Sequence, residues 1–377
     1  LRVVASVVEH GPSGIAPVLQ VHPSRRCNLA CAHCYSASGP HVEETLPKPL
    51  LLAAIRDAAS LGYRQLAVSG GEPLLSPDLP AILRRARALE LVTSVTTNGL
   101  LLGQRRWERV AEFVDVLAIS IDGTEEEHDA LRGRVGAYAQ TVRNLEAARR
   151  TGTPFGFITT LTQYNAASLE SVVRLAAREG ARSVQVHPLT LVGRASEGMA
   201  DERPDGIELA AALIEARRLG VQLGVFVHVD ALTADQLMLY RGDLVPPFPA
   251  RSVTQLAPVL IVEADGTVRP LTHELPDGMV LGSLHRAPLT RLVRAWERSD
   301  RARELAAACD RTWWELTAPG AGPAAYWYDE VAARVAPEFA AAGGAAGGAS
   351  GGATTAAPAV AAAPAVAAAR RPLQLAA

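Results

Sequence analysis

Lysine is almost absent from this chain: of its 37 basic residues all but Lys48 are arginine, and Lys48 stands between Pro47 and Pro49. A Gly-rich nucleotide loop ending in a phosphate-binding lysine is therefore excluded, and Schiff-base chemistry would have to use that single proline-flanked amine. Long apolar runs are missing too, and nothing approaches the roughly 18 uninterrupted apolar residues of a membrane helix. The opening stretch, LRVVASVVEHGPSG, has no basic cluster ahead of its apolar run, which Glu9, His10 and Gly11 interrupt, so neither a secretory signal nor an anchor is expected. A formal charge of -2 leaves no overall footprint for nucleic acid or an anionic membrane, and neither is an expected partner. Cysteine is scarce and unevenly placed: Cys27, Cys31 and Cys34 lie together and Cys309 lies far downstream. That distribution is no disulfide framework, and a reducing, cytoplasmic setting is expected.

What is present is a large apolar inventory, 49% of 377 residues, enough for one large domain with an appendage. Short β-branched runs at 17–23, 64–70, 91–98, 114–122, 155–161 and 182–188 alternate with stretches apolar at helical spacing. Six βα units predict an α/β fold, a parallel sheet curved into a partial (β/α)6 barrel, with its chemistry on the loops after the strand C-termini. Beyond His187 the pattern changes to a helix near 207–220, a strand at 221–228, and a hairpin in which Asp265-Gly266 is flanked by alternating apolar residues. Helices at 289–298 and 299–309 follow, then an aromatic group of Trp313, Trp314, Tyr326, Trp327 and Tyr328 that serves either packing or substrate contact. The chain divides into an N-terminal extension (1–15), a core barrel (16–230), a smaller α+β cap (231–339), and an Ala/Gly/Pro-rich tail (340–377) expected to be disordered.

The sharpest feature is Cys27-Asn28-Leu29-Ala30-Cys31-Ala32-His33-Cys34, directly after the first strand. Three thiolates from one loop are the number that holds three irons of a cubane cluster and leaves the fourth open. A zinc site, with His33 as a further ligand, and a Cys31–Cys34 redox dithiol are the alternatives. Ser69-Gly70-Gly71-Glu72-Pro73 ends the second strand, with two glycines that permit close backbone approach and a carboxylate aimed at a ligand.

The C-x3-C-x2-C run followed by Tyr35, together with the later GGEP, resembles the radical S-adenosylmethionine (SAM) superfamily over roughly Val18 to Leu191. The resemblance implies that Cys27, Cys31 and Cys34 bind one 4Fe-4S cluster, that Tyr35 packs by the adenine of SAM, and that Gly70, Gly71, Glu72 and Pro73 hold its amino group. Asn98, in Thr97-Asn98-Gly99, and Ser120 and Asp122, in Ser120-Ile121-Asp122-Gly123, look like the segments that meet the ribose and carboxylate. The stretches His128 to Gly133 and Gly193-Arg194-Ala195 narrow the likeness to the branch with a SPASM or twitch C-terminal domain, which includes peptide maturases and haem-biosynthesis enzymes. The later region departs from that branch: Leu271 and Thr272 stand where a cluster cysteine would follow the hairpin, so a cluster-free cap is expected. Reactions that need an auxiliary cluster are thereby placed in doubt. The implied activity is hydrogen abstraction by a 5'-deoxyadenosyl radical on a ribosomally made peptide, or on a small metabolite or tetrapyrrole, with flavodoxin or ferredoxin as electron donor. Only 26 residues precede Cys27, so no separate leader-binding domain is expected. A non-enzymatic zinc or Fe-S binding module is the rival from another class. No motif marks a catalytic side chain; His187, which shares a strand face with Gln185, and Cys309 are the candidates.

Overall fold

The computed structural model describes residues 16–341, and the expected extension at 1–15 and most of the expected tail lie outside them. Strands β1 (Val18–Val21), β2 (Gln65–Val68), β3 (Val92–Thr97), β4 (Val116–Ser120), β5 (Phe155–Leu161) and β6 (Ser183–Pro188) coincide with the six apolar runs. They pair in chain order, all parallel. Helices α1 (Lys48–Ser60), α2 (Leu79–Ala88), α3 (Glu125–Arg132), α4 (Ala137–Thr151), α5 (Leu169–Glu179) and α6 (Gly206–Leu223) fill the crossovers. Chain stiffness and the right-handed crossover rule bring each strand beside its predecessor.

The alternation along the strands separates two faces. Leu19, Leu66, Val95, Leu117, Phe157, Val184 and Val186 are buried under the helices. The alternate row, including Gln20, Ser94, Thr96, Thr160, Gln185 and His187, is small or polar and half-buried. An open barrel with a polar interior follows from that alternation.

The strand expected at 221–228 begins late: α6 continues through Leu223, Gly224 closes it at φ +67°, and β7 (Phe226–Val229) pairs parallel with β6. Gly224 is the signal that separates the two, since its left-handed backbone ends a helix without a Cβ clash. The hairpin forms as expected from β8 (Val259–Val262) and β9 (Thr267–Pro270), with β10 (Gly282–Ser283) beside β9. It does not make a separate sheet. β8 pairs parallel with β1, giving one ten-stranded sheet in the order β10-β9-β8-β1-β2-β3-β4-β5-β6-β7. Helices α7 (Leu289–Glu297) and α8 (Asp300–Leu316) pack outside it, and a last short helix, Pro337–Ala341, runs two residues into the stretch expected to be tail.

Candidate functional site

The cysteine loop leaves the end of β1 and is held from four sides. Gly71 N donates to Ser24 O (2.9 Å) and Glu72 N to Arg26 O (3.0 Å), so the segment after β2 lies directly beneath the residues that lead into Cys27. A Cβ on Gly71 would stand 2.2 Å from Arg26 O, and one on Gly70, whose φ is +97°, 2.9 Å from both His22 Cβ and Ser24 O. The close backbone approach that the glycine pair permits here is to the cysteine loop. Arg194 donates to Cys31 O (2.6 Å) and Ser38 O (2.7 Å), and its own backbone N–H to Cys34 O (2.9 Å). It clamps the loop by carbonyls and makes no ion pair with a carboxylate among the described residues.

Each sulfur has a donor. Asn98 Nδ2 lies 3.8 Å from Cys27 Sγ, Arg132 Nη1 3.8 Å from Cys31 Sγ, and Ser38 N 3.3 Å from Cys34 Sγ. Burial pushes the Cys27 thiol up to about 12 and raises Cys31 as well, against the pull of Arg132. Thiols so desolvated ionise when a metal replaces the proton, and metal loading is then accompanied by proton release. A single ion would draw the three sulfurs together. On a tetrahedral zinc they would sit about 3.8 Å apart. Among the described residues the one trio of His, Cys, Asp or Glu ligand atoms within 4.8 Å of one another is His22, Glu263 and His273, so the cysteines do not converge on a point. Sulfurs that bind separate irons of a cubane are spread more widely, and the donor set fits that group. His33 is turned to the Asp122 carboxylate (3.8 Å) and burial holds it down at about 4, so it is placed as packing against that carboxylate.

Glu72 makes internal bonds. Its carboxylate accepts from Leu74 N (3.0 Å), Thr97 Oγ1 (2.8 Å) and Asn98 N (2.9 Å), and it is 3% exposed. It ties the loop after β2 to the loop after β3, while Pro73 opens the single 3-10 turn that it caps. Asn98 turns its amide to Asn28 Oδ1 (2.8 Å) and thereby reaches the cysteine loop. Asp122 is likewise internal: it accepts from Arg132 Nε (2.6 Å) and Thr160 N (2.9 Å) with no exposed surface. Burial, the largest single influence, would raise its carboxyl, but the Arg132 guanidinium together with His33, His128 and the Thr160 amide outweighs it and holds it at about 2. Ser120 is buried at the end of β4, in register with Ile158.

Tyr35 faces His22 and His273, of which the sequence pointed only to His273, as a residue that could hold substrate. Its ring centroid is 4.6 Å from that of His273 and 5.6 Å from that of His22, and its hydroxyl lies 3.4 Å from Ser69 Oγ. Both imidazoles bond Glu263, His22 Nδ1 to Oε2 and His273 Nδ1 to Oε1, each at 2.7 Å. Gln20 Nε2 is 2.9 Å from His22 Nε2 and 3.3 Å from His273 Nε2. At the far side of the mouth, His187 Nδ1 bonds Asp230 Oδ2, and His228 Nε2 lies 2.9 Å from Asp230 Oδ1. His187 keeps about a third of its side chain exposed (36%), a His–carboxylate pair with its second nitrogen toward the barrel interior. Cys309 is elsewhere, in the core on α8, its thiol pushed up to about 12 by burial. In the aromatic group Trp327 is buried, Trp313 Nε1 donates to Leu237 O (2.7 Å), and Trp314 is exposed. A signal for the missed residues was present: Gln20-Val21-His22-Pro23 and Gln185-Val186-His187-Pro188 repeat one tetrapeptide at the ends of β1 and β6.

Residues 21–176 match the family model of the radical SAM superfamily. Pre-heme d1 synthase of Dinoroseobacter shibae is 36% identical over 191 residues, 49% of this chain and 46% of that protein. The sporulation killing factor maturation protein SkfB of Bacillus subtilis is 30% identical over 173 residues, 46% of this chain and 42% of that protein. This chain thus spans about half the length of the curated relatives it matches. Among solved structures, Streptococcus suis SuiB bound to precursor peptide SuiA superposes with a TM-score of 0.62 at 14% identity, covering 77% of this chain and 66% of that one. Native anSMEcpe with bound AdoMet and a peptide gives 0.59 at 15% identity, covering 86% of this chain and 98% of that one. At such identity these two establish the fold. No helix among the described residues is long and apolar enough to cross a membrane.

Proposed function

The chain carries a radical SAM superfamily domain over residues 21–176, and from that premise we propose an enzyme that binds one 4Fe-4S cluster at Cys27, Cys31 and Cys34 and abstracts hydrogen from its substrate. Bound together, cluster and SAM supply one-electron cleavage of a C–S bond and a 5'-deoxyadenosyl radical. The observation that carries this reading is the cysteine loop: three separated sulfurs, each with a hydrogen-bond donor, at the C-terminal mouth of a polar half-barrel. Asn98, Arg132 and the Ser38 amide offset negative charge on the sulfurs. Glu72 and Arg194 fix the loop's shape. The polar row of Thr96, Thr160, Gln185 and His187 faces the substrate. Such chemistry requires a reductant, for which a flavodoxin or ferredoxin in the cytoplasm is the class we assign.

A peptide is the substrate we favour. Among the described residues β7 ends the sheet, with Phe226 and His228 exposed and His228 reaching the Asp230 carboxylate that His187 also bonds, an edge on which an extended chain can add backbone hydrogen bonds. SkfB, named as a maturation protein, lies in the same direction. A tetrapyrrole is the second reading, supported by the 36% identity to pre-heme d1 synthase. Anaerobic reconstitution tests the activity. Iron should approach about four per chain, and 5'-deoxyadenosine should form with dithionite and SAM and vanish in the Cys27, Cys31 and Cys34→Ala variant. Zinc in place of iron, or no 5'-deoxyadenosine at all, would defeat the enzyme reading. Stimulation by a peptide encoded beside the gene, against stimulation by a coproporphyrin, decides the substrate class.

A further inference from the structure

His22 lies 241 positions before Glu263 in the sequence, yet the sheet places the two side by side, and His273 joins them. β1 and β8 run parallel in the register Val21↔Val262, and His22 N continues that ladder to Val262 O at 2.9 Å. His22 and Glu263 therefore leave neighbouring strands at the barrel mouth, and His273 returns to them just beyond β9. The imidazoles stack at a centroid distance of 5.1 Å and an interplanar angle of 19°.

Glu263 is largely buried, with 22% of its side chain exposed, and its ion-pair partners among the described residues are these two imidazoles alone.

We propose that His22, Glu263 and His273 form a binding site for a divalent first-row transition metal, separate from the cysteine loop. Two imidazole nitrogens and a carboxylate oxygen within 4.8 Å of one another are a complete three-ligand set for zinc or iron(II). Gln20 supplies the outer support. With its amide turned, its oxygen accepts from the Nε2–H groups, leaving both Nδ1 atoms free to ligate, and the Ser69 hydroxyl, 3.2 Å away, can donate to that same oxygen. Three protein ligands leave a coordination position for water or an anionic oxygen donor, and Tyr35 and Ser69 border that side. The matching group at the other end of the sheet, His187, Asp230 and His228, does not gather its ligand atoms within the same limit, so the assignment is to the first group alone.

Zinc is the probe. Cluster-loaded protein, stripped of loosely held metal by a mild chelator and equilibrated with zinc, should retain about one zinc per chain in addition to about four irons by elemental analysis. His273→Ala and Glu263→Gln should each lower zinc affinity tenfold or more with iron unchanged; Glu263→Gln keeps the volume and serves if the alanine variant folds poorly. The Cys27, Cys31 and Cys34→Ala variant should lose iron and keep the zinc, which separates this site from the fate of the cluster. Retention of zinc in both the His273 and Glu263 variants, or no zinc beyond the cysteine sites in the parent, would show a closed hydrogen-bond network in place of a metal site.

Discussion

His22 and His187 occupy equivalent places at opposite ends of the barrel. Each follows Gln-Val and precedes Pro, and each bonds through Nδ1 to a carboxylate on the neighbouring outer strand, Glu263 for His22 and Asp230 for His187. The first pair is enclosed by Tyr35 and Gln20, whereas the second keeps an exposed imidazole edge. One local sequence is therefore used for a closed group and for an accessible one, the difference lying in what covers each strand.

Arg132→Ala should be among the most damaging single changes outside the cysteines. It leaves Asp122, which has no exposed surface, as a buried charge without its partner, a loss of about 3–5 kcal/mol. Urea unfolding at neutral pH measures it, and Asp122→Asn in the same chain should restore a substantial part. A loss below about 1 kcal/mol would mean that the pair is not buried as described.

His128 should produce an acid limb in stability. Burial first, and the Arg132 charge second, hold its folded value down at about 4 from an ordinary 6.5. Its contribution is thus complete above pH 6.5 and declines as pH falls toward 4, because the unfolded chain takes up the proton first. The slope reaches about 1.4 kcal/mol per pH unit inside that window. His128→Gln, compared with the parent at pH 7 and pH 5, should flatten the decline; equal declines in both would assign the limb to other groups.

Glu72→Ala removes a three-way acceptor and should act on both fold and cofactor. Lost charged hydrogen bonds predict about 2 kcal/mol or more of destabilisation. SAM affinity, read by equilibrium dialysis on cluster-loaded protein, should fall roughly tenfold or more as the loops after β2 and β3 separate. If affinity falls with stability unchanged, the carboxylate meets SAM directly and is not the brace described.

Gly71→Ala should lower cluster loading, since its Cβ would stand 2.2 Å from the Arg26 carbonyl. Overpacking of this kind costs about 1–3 kcal/mol. Gly136→Ala, with φ +79° but nothing within 4 Å of a new Cβ, is the control for backbone strain alone. Iron content per chain compares them, and equal loading in the two would remove the steric argument.

Cys309→Ala should cost on the order of 1 kcal/mol for the small cavity left in the core. Formation of 5'-deoxyadenosine and incorporation of solvent deuterium into product should be unchanged. A deuterium signal lost only in this variant would identify a hydrogen donor.

The six central strands and the cysteine loop were legible because both are local: alternation marks each strand, and three thiols in eight residues mark the loop. Roles that depend on what lies across the sheet were not. Asp122 read as a ligand-facing turn residue until Arg132, ten positions on, was seen to be folded back over it. The bonds of Glu72 to Thr97 and the Asn98 amide, one strand away, could not be read because those residues are not adjacent to it in sequence. The pairing of β1 with β8 is more remote still, since parallel neighbours leave no turn between them to signal register. His22 and Glu263 therefore could not be associated by spacing, although the repeated Gln-Val-His-Pro was visible.

That pairing also sets how the molecule comes apart. β1 has β2 on one side and β8 on the other, so the strand that carries the cysteine loop is an interior strand only while the C-terminal hairpin is in place. Release of β8 would expose a row of unpaired backbone groups beside Leu19 and Val21, an adhesive edge of the kind that invites association between chains. The hairpin and the cysteine-bearing strand accordingly belong to one cooperative unit, and amide protons on β1 and β8 should exchange together, at the rate of the same opening.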